Sequence, residues 1–319
     1  MRRVLGLVPV LLAAATIVWI FVFLLPGDPA RLIAGGQAAD PEVLETIRHE
    51  WGLDRPAPIQ YATYLGKLLR FDLGTSYIQK RSVVSIIAAH FPPTLILATA
   101  GVLLASVLGL VLGSLAALHR GRLVDSLILF LALLGTSMPV FWLGLILMLL
   151  FASRLSWLPV LGYGMEGAVI PFTDIRLPEW DHLILPAMTL SLASMGAYAR
   201  ITRASLIEAG TADFLRTARA KGASAARVFA RHALQNALIP IVTLVGLDFA
   251  SLLGGAVATE YVFAWPGLGR TIVRAIGLRD LPVVEGGVLF LTGIFVLASL
   301  VVDLLYLVLD PRIHYSATG

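Results

Sequence analysis

The chain has 319 residues, 58% of them hydrophobic and only 14% charged, with a net charge of +4 and a mean hydropathy of +0.87. A soluble domain carries about 25% charged residues, so this composition excludes the soluble globular class and indicates a polytopic membrane protein. There is no cysteine, which excludes disulfides, thiolate catalysis and cysteine-ligated metals.

In chain order, Arg2 and Arg3 precede an apolar run from Val4 to Leu25. Secretory signals have apolar cores of about 7–15 residues, and this run is longer. Pro26-Gly-Asp-Pro-Ala30 follows it without a small-x-small cleavage site. A first transmembrane helix with a cytoplasmic N-terminus is expected.

The segment from Pro26 to about Pro93 is too polar to span, and its charges balance. Asp40 before Pro41 and Glu42 reads as an N-cap, a proline at N1 and an acidic first turn. Trp51 to Pro56 reads as a turn, and Pro58 to about Leu69 as a second short helix carrying Tyr61 and Tyr64. Together they predict a small, folded extracytoplasmic cap. Five further spans follow, near Thr94–Leu118, Leu127–Phe151, Leu183–Ile201, Ala237–Ala258 and Gly287–Val308, each about the 20 residues that cross a bilayer. Pro139 is expected to kink the third. Gly101, Ser106, Gly109 and Gly113 place small residues on one face of the second, which reads as close helix packing.

Positive charge gathers on one side of these spans. It lies at Arg2 and Arg3, at His119 to Arg122, in a polar island at about 205–235, and at Arg312. By the positive-inside rule that side is the cytoplasm, and both termini lie there. Topology accounts for the basic charge, so no nucleic-acid partner is implied. The island carries Arg216, Arg219, Lys221, Arg227 and Arg231 against Glu208 and Asp213. Its alanines favour helix, and Gly222 is a natural break. The expected fold is all-α, with six transmembrane helices, a small extracytoplasmic helical cap and a cytoplasmic loop. It divides into 1–93, the first span with the cap, and 94–319, a five-helix core.

No catalytic constellation appears. The chain lacks GxxxxGK[ST], HExxH and GxSxG, so it is not expected to hydrolyse ATP or act as an enzyme. His49, His90, His119, His182, His232 and His314 are scattered, and no metal site is expected.

The run Arg216-Thr-Ala-Arg-Ala-Lys-Gly222, followed by Arg231-His232-Ala-Leu-Gln-Asn236, resembles the EAA loop of ATP-binding-cassette importer permeases. The resemblance extends along the chain through Leu25-Pro-Gly-Asp-Pro29, Gly52-Leu-Asp-Arg-Pro56, Phe71-Asp-Leu-Gly-Thr-Ser76 and Ser137-Met-Pro-Val-Phe141. It continues through Glu260-Tyr-Val-Phe263, Trp265-Pro-Gly-Leu-Gly269 and Asp310-Pro-Arg312. These blocks are similar to the dipeptide/oligopeptide B-type permeases. Arg216 and Thr217 depart from the general Glu and Ala of the loop, as that branch usually does.

The resemblance implies a non-catalytic permease subunit in a prokaryotic inner membrane. It would form half of a pathway with a second homologous permease. Two ATPase subunits would bind ATP and Mg, a soluble binding protein would deliver substrate, and this chain would hold no cofactor of its own. The implied cargo is di- or oligopeptides, with nickel complexes or glutathione as alternatives. Asp213, Arg216, Arg219, Lys221, Gly222, Arg227, Arg231 and His232 fall in the implied ATPase-coupling loop.

Asp248, the deepest ionisable residue, either faces the pathway and meets a peptide amino group or pairs with an arginine or hydroxyl on a neighbouring helix. Glu260, Phe263 and Trp265 form either an outer gate or an interfacial aromatic belt with one solvated carboxylate. Arg200 and Arg203 are expected to snorkel at a span end, with Asp303 as a candidate partner. A secondary transporter and an intramembrane enzyme are the rivals. The first lacks a convincing internal repeat, and the second lacks nucleophile and metal motifs.

Overall fold

The computed structural model describes residues 2–24, 29–34, 40–164, 167–170, 175–211 and 234–309. It is helical: α1 Arg2–Leu24, α2 Pro29–Ile33, α3 Pro41–Trp51, α4 Ala57–Leu68, α5 Val83–Leu118, α6 Leu123–Ser137 and α7 Val140–Leu147. A π-helical segment, Met148–Arg154, continues α7. Then come α8 Trp180–Thr211, α9 Leu234–Gly255, α10 Val257–Val262, α11 Leu268–Leu278 and α12 Leu281–Leu309. Among the described residues, β pairing is limited to two isolated antiparallel bridges, Thr75 with Ser82 and Val169 with Arg176.

Among the described residues, four helices are long and apolar enough to cross a membrane, at Leu7–Leu24, Val83–Leu118, Trp180–Gly210 and Leu281–Leu304. A fifth candidate is the bent pair Leu123–Ser137 with Val140–Arg154. Pro240–Gly254 is apolar but shorter. The expected all-α membrane fold is therefore present, while six full-length spans are not all seen as single helices.

Two expected boundaries are corrected. The second span begins at Val83 and runs through Pro92 and Pro93, because Val83, Ile86 and Ile87 continue its buried face at helical spacing. The third is broken rather than kinked, with its halves bent by 107°. Met138 precedes a proline and is extended, at φ −86 and ψ 139. The proline ring disfavours helical backbone at the residue before it.

The chain forms two compact units, one from 1–92 with 266–294 and one from 93–265 with 295–319. In the first, the expected cap helices are present. Asp40 Oδ1 accepts from Glu42 N–H at 3.1 Å. Gly52, at φ 66, ends α3 in the left-handed region, where a glycine carries no Cβ penalty. The Trp19 ring of α1 meets Tyr61 of α4 edge-on at 5.2 Å, and the Thr16 and Tyr61 hydroxyls share a hydrogen bond of 2.6 Å. The core of this unit joins Val83, Ile86 and Ile87 to Leu268, Ile272 and Val283.

In the second unit, α8 is the central helix. A Cβ on Gly113 of α5 would lie 2.5 Å from Thr202 Cβ and 2.6 Å from the Ala199 carbonyl oxygen. Gly101 and Gly109 approach Leu190 and Tyr198 in the same way. The glycine face is a packing seam, as expected. Ser106 instead turns its hydroxyl back to the Val102 carbonyl at 2.6 Å. Gly135 of α6 and Gly196 of α8 admit equally close backbone contact.

Candidate functional site

Three polar pairings are built into the second unit. The first is deep in the helices. Tyr198 on α8 donates its hydroxyl to Asp248 Oδ2 on α9 at 2.6 Å. Tyr198 is buried and Asp248 half-buried. A carboxylate in an apolar bundle is costly without such a donor, so the hydroxyl holds the acid in place. Of the two expectations for Asp248, the pairing with a neighbouring hydroxyl is seen.

The second pairing joins α6 to α8. Arg203 grips Asp125 with both arms of its guanidinium, Nε to Oδ1 at 2.6 Å and Nη2 to Oδ2 at 2.7 Å. Gly121 N–H adds a third hydrogen bond to the same carboxylate at 2.9 Å. This parallel geometry is the strong form of an arginine–carboxylate pair. It corrects the expectation for Arg203, which does not snorkel free but folds back onto Asp125. Arg200 is exposed.

The third pairing is around α10. Glu260 is fully buried and accepts from Thr94 Oγ1 at 2.6 Å. The Trp265 N–H closes a turn onto the Glu260 carbonyl at 2.9 Å, and its indole N–H reaches the Pro93 carbonyl at 2.9 Å. Tyr163 packs edge-on against the Trp265 ring at 4.6 Å. Burial pushes the Tyr163 phenol up to about 12. The expectation of a solvated carboxylate in an aromatic belt is corrected, since Glu260, Phe263 and Trp265 are 0%, 2% and 0% exposed. The turn through Ala264, at φ 53, sends both rings inward against Leu97, Leu183 and Leu185. Only Tyr261 of that group remains exposed.

The loop residues Asp213, Arg216, Arg219, Lys221, Gly222, Arg227, Arg231 and His232 lie outside the described residues. Tyr198, Asp125 and Thr94 did not stand out in the sequence. A signal did exist for Asp125, an acid inside an otherwise apolar helix that requires a partner. His182 meets Glu179 and Asp181, its near neighbours in the sequence, with ligand atoms within 4.8 Å of one another, a grouping that the spacing between histidines does not show. Asp181 is exposed there and already accepts from His182 N–H at 2.9 Å, so the group reads as a solvated acidic patch.

The family described as the inner membrane component of binding-protein-dependent transport systems matches residues 109–315, and its N-terminal counterpart matches residues 1–98. The chain belongs to this family. Glutathione transport system permease protein GsiC of Salmonella paratyphi A is 44% identical over 316 residues, covering 99% of this chain and 98% of its own. The proteins of the same name from Pectobacterium atrosepticum and Escherichia coli K12 are 43% and 42% identical over 315 residues, with the same coverage.

Two solved structures share the fold. An inward-facing MetNI methionine ABC transporter superposes with a TM-score of 0.54 at 16% identity, covering 71% of this chain and 97% of that one. An amino acid ABC transporter gives 0.50 at 15% identity, covering 72% and 95%. The protein is thus a permease component of an ABC importer, of the dipeptide/oligopeptide type, in a bacterial inner membrane. Such permeases are not themselves catalytic and work with ATPase and substrate-binding partners.

Proposed function

We propose that this permease carries glutathione, as one half of a pathway shared with a second homologous permease. The supporting observation is 44% identity over 99% of the chain to permeases named for glutathione transport. The motifs alone favour di- or oligopeptides. The relatives favour the glutathione alternative instead. The chemistry is continuous between the two, because glutathione is a tripeptide with an ammonium group and carboxylates.

Asp248 is the residue for the substrate ammonium, and Tyr198 keeps its carboxylate aimed. The buried turn from Glu260 to Trp265, with Phe263, gives the gate a rigid stop. Two ATPase subunits, which bind ATP and Mg, dock on the loop carrying Asp213, Arg216, Arg219, Lys221, Gly222, Arg227, Arg231 and His232. That loop and both termini are cytoplasmic by the positive-inside rule.

Uptake of labelled glutathione by cells carrying the complete transporter tests the cargo. Competition by unlabelled glutathione, with little competition by ordinary dipeptides, is the expected result. Full competition by dipeptides and none by glutathione returns the peptide reading.

A further inference from the structure

A cavity of about 700 Å3 lies wholly within the first unit. One wall is apolar, from Trp19, Val22 and Phe23 of the membrane helix α1. The rest is charged on opposing segments. Glu285, near the start of α12, supplies one carboxylate, with Glu50 and Asp72 also in the lining, while Lys67 of α4, Arg48 of α3, Arg55 after α3 and Arg279 before α12 supply cations.

Among the described residues, the Glu285 carboxylate makes no hydrogen bond and no ion pair, although it is half-buried. Nor do the side chains of Lys67, Arg55 and Arg279. A second lining acid, Asp72, already accepts from the Gly74 N–H at 2.9 Å. A partly buried carboxylate without a partner is costly unless something supplies one. The Lys67 charge acts on Glu285 without a direct ion pair, and acid and base on opposing segments make the lining bipolar.

The walls are fixed in advance. The Gln60 carboxamide donates to the Leu53 and Arg55 carbonyls at 3.1 and 2.8 Å, which holds the Arg55 turn on α4. Buried Asp280 accepts from Ser76 Oγ at 2.5 Å and Tyr77 N–H at 2.9 Å, which pins the loop before α5 to the start of α12. Gly286 lets α12 approach Val83 and Leu73 where a Cβ would not fit. Tyr64 and Tyr77 also line the cavity. Burial, reinforced by the Glu285 charge, pushes their phenols above the ordinary range, so both stay neutral.

We propose that this cavity binds a zwitterion with a primary ammonium, which pairs with Glu285, and a phosphate or carboxylate, which pairs with Lys67, Arg55 and Arg279. Two sources offer that chemistry. One is the headgroup of an aminophospholipid whose acyl chains lie along the apolar α1 wall. The other is a free amino-acid-like solute. The site is independent of which cargo the pathway carries.

The test uses the complete transporter without its binding protein, in nanodiscs of equal parts phosphatidylethanolamine and phosphatidylcholine. Retained lipid is quantified by mass spectrometry after detergent extraction, and glutathione binding by calorimetry. Enrichment of phosphatidylethanolamine over phosphatidylcholine identifies the lipid source, and saturable glutathione binding the solute source. Either signal is expected to fall at least about tenfold in Glu285→Gln, the size of one lost charged hydrogen bond. Lys67→Ala, at a residue of a short helix outside the spans, is expected to lower the same signal. No enrichment together with no glutathione binding, or a signal unchanged in both variants, overturns the proposal.

Discussion

Tyr198 and Asp248 are joined by a 2.6 Å hydrogen bond between α8 and α9, and Asp248 is the single carboxylate in the sequence of α9. Hydrogen bonds between helices in membranes contribute about 0.6–2 kcal/mol. Tyr198→Phe is expected to lower thermal stability by about that much, with a modest fall in uptake. Asp248→Asn keeps an acceptor for the Tyr198 hydroxyl and removes only the charge. Its stability is expected to stay near wild type while uptake falls by about tenfold, the loss of one charge-assisted contact. Unchanged uptake and substrate preference in Asp248→Asn would remove Asp248 from the pathway.

The Asp125–Arg203 pair has a different character. Asp125 is nearly buried, its side chain 5% exposed, and Arg203 is 25% exposed. Removing one partner leaves a charge in a site built for two, at a cost of about 3–5 kcal/mol for a fully buried pair and less here. Asp125→Ala is expected to reduce the yield of folded protein and its melting temperature, read by fluorescence-detected size exclusion after heating. Asp125→Glu, which retains the charge, is expected to lie between that variant and wild type. Equal stability in Asp125→Ala and wild type would show the pair to be incidental.

Helix packing gives a controlled comparison. Gly113→Ala drives a Cβ into Thr202 and the Ala199 carbonyl, and overpacking of this kind costs about 1–3 kcal/mol. Gly293 has no atom within 4 Å of the same added Cβ. Gly293→Ala is expected to be neutral or stabilising by up to about 1 kcal/mol, since alanine loses less backbone entropy. Thermal melts of the two variants in one detergent check the contrast.

The proposed coupling loop yields a prediction at Gly222. An acidic side chain there would place bulk and the wrong charge in the surface proposed to meet the ATPase. Gly222→Asp is expected to abolish ATP-driven uptake while leaving the membrane fold and the thermal melt intact. Preserved transport in that variant would exclude the loop as the coupling handle.

Local signals carried much of this structure into the sequence. Asp40 followed by Pro41 marks the start of α3 because capping chemistry acts within one turn. The glycines of α5 mark a seam because close approach needs small residues at fixed spacing. Long-range partners were less legible. Asp125 and Arg203 lie 78 residues apart, and Arg203 alone resembles any span-end arginine. Pro139 marks where the third span deviates, but an angle of 107° depends on how α7 packs, through Leu143 and Leu147, against Leu185 and Phe263. Glu260 followed by aromatics has the composition of a membrane-interface belt, and only the turn at Ala264 sends those rings inward. Glu285 carries no signal of its own, because it lies two residues before the expected last span, which begins at Gly287.

The central claim is that this chain is the membrane component of an importer powered from outside itself. Affinity purification through a tag on this chain, from membranes in mild detergent with mass spectrometry of what accompanies it, tests that directly. A second permease, ATPase subunits and a substrate-binding protein are expected to copurify, and the ligand carried by that binding protein names the cargo. A chain that purifies alone, and that transports in liposomes without ATP, would contradict the account and identify a secondary transporter.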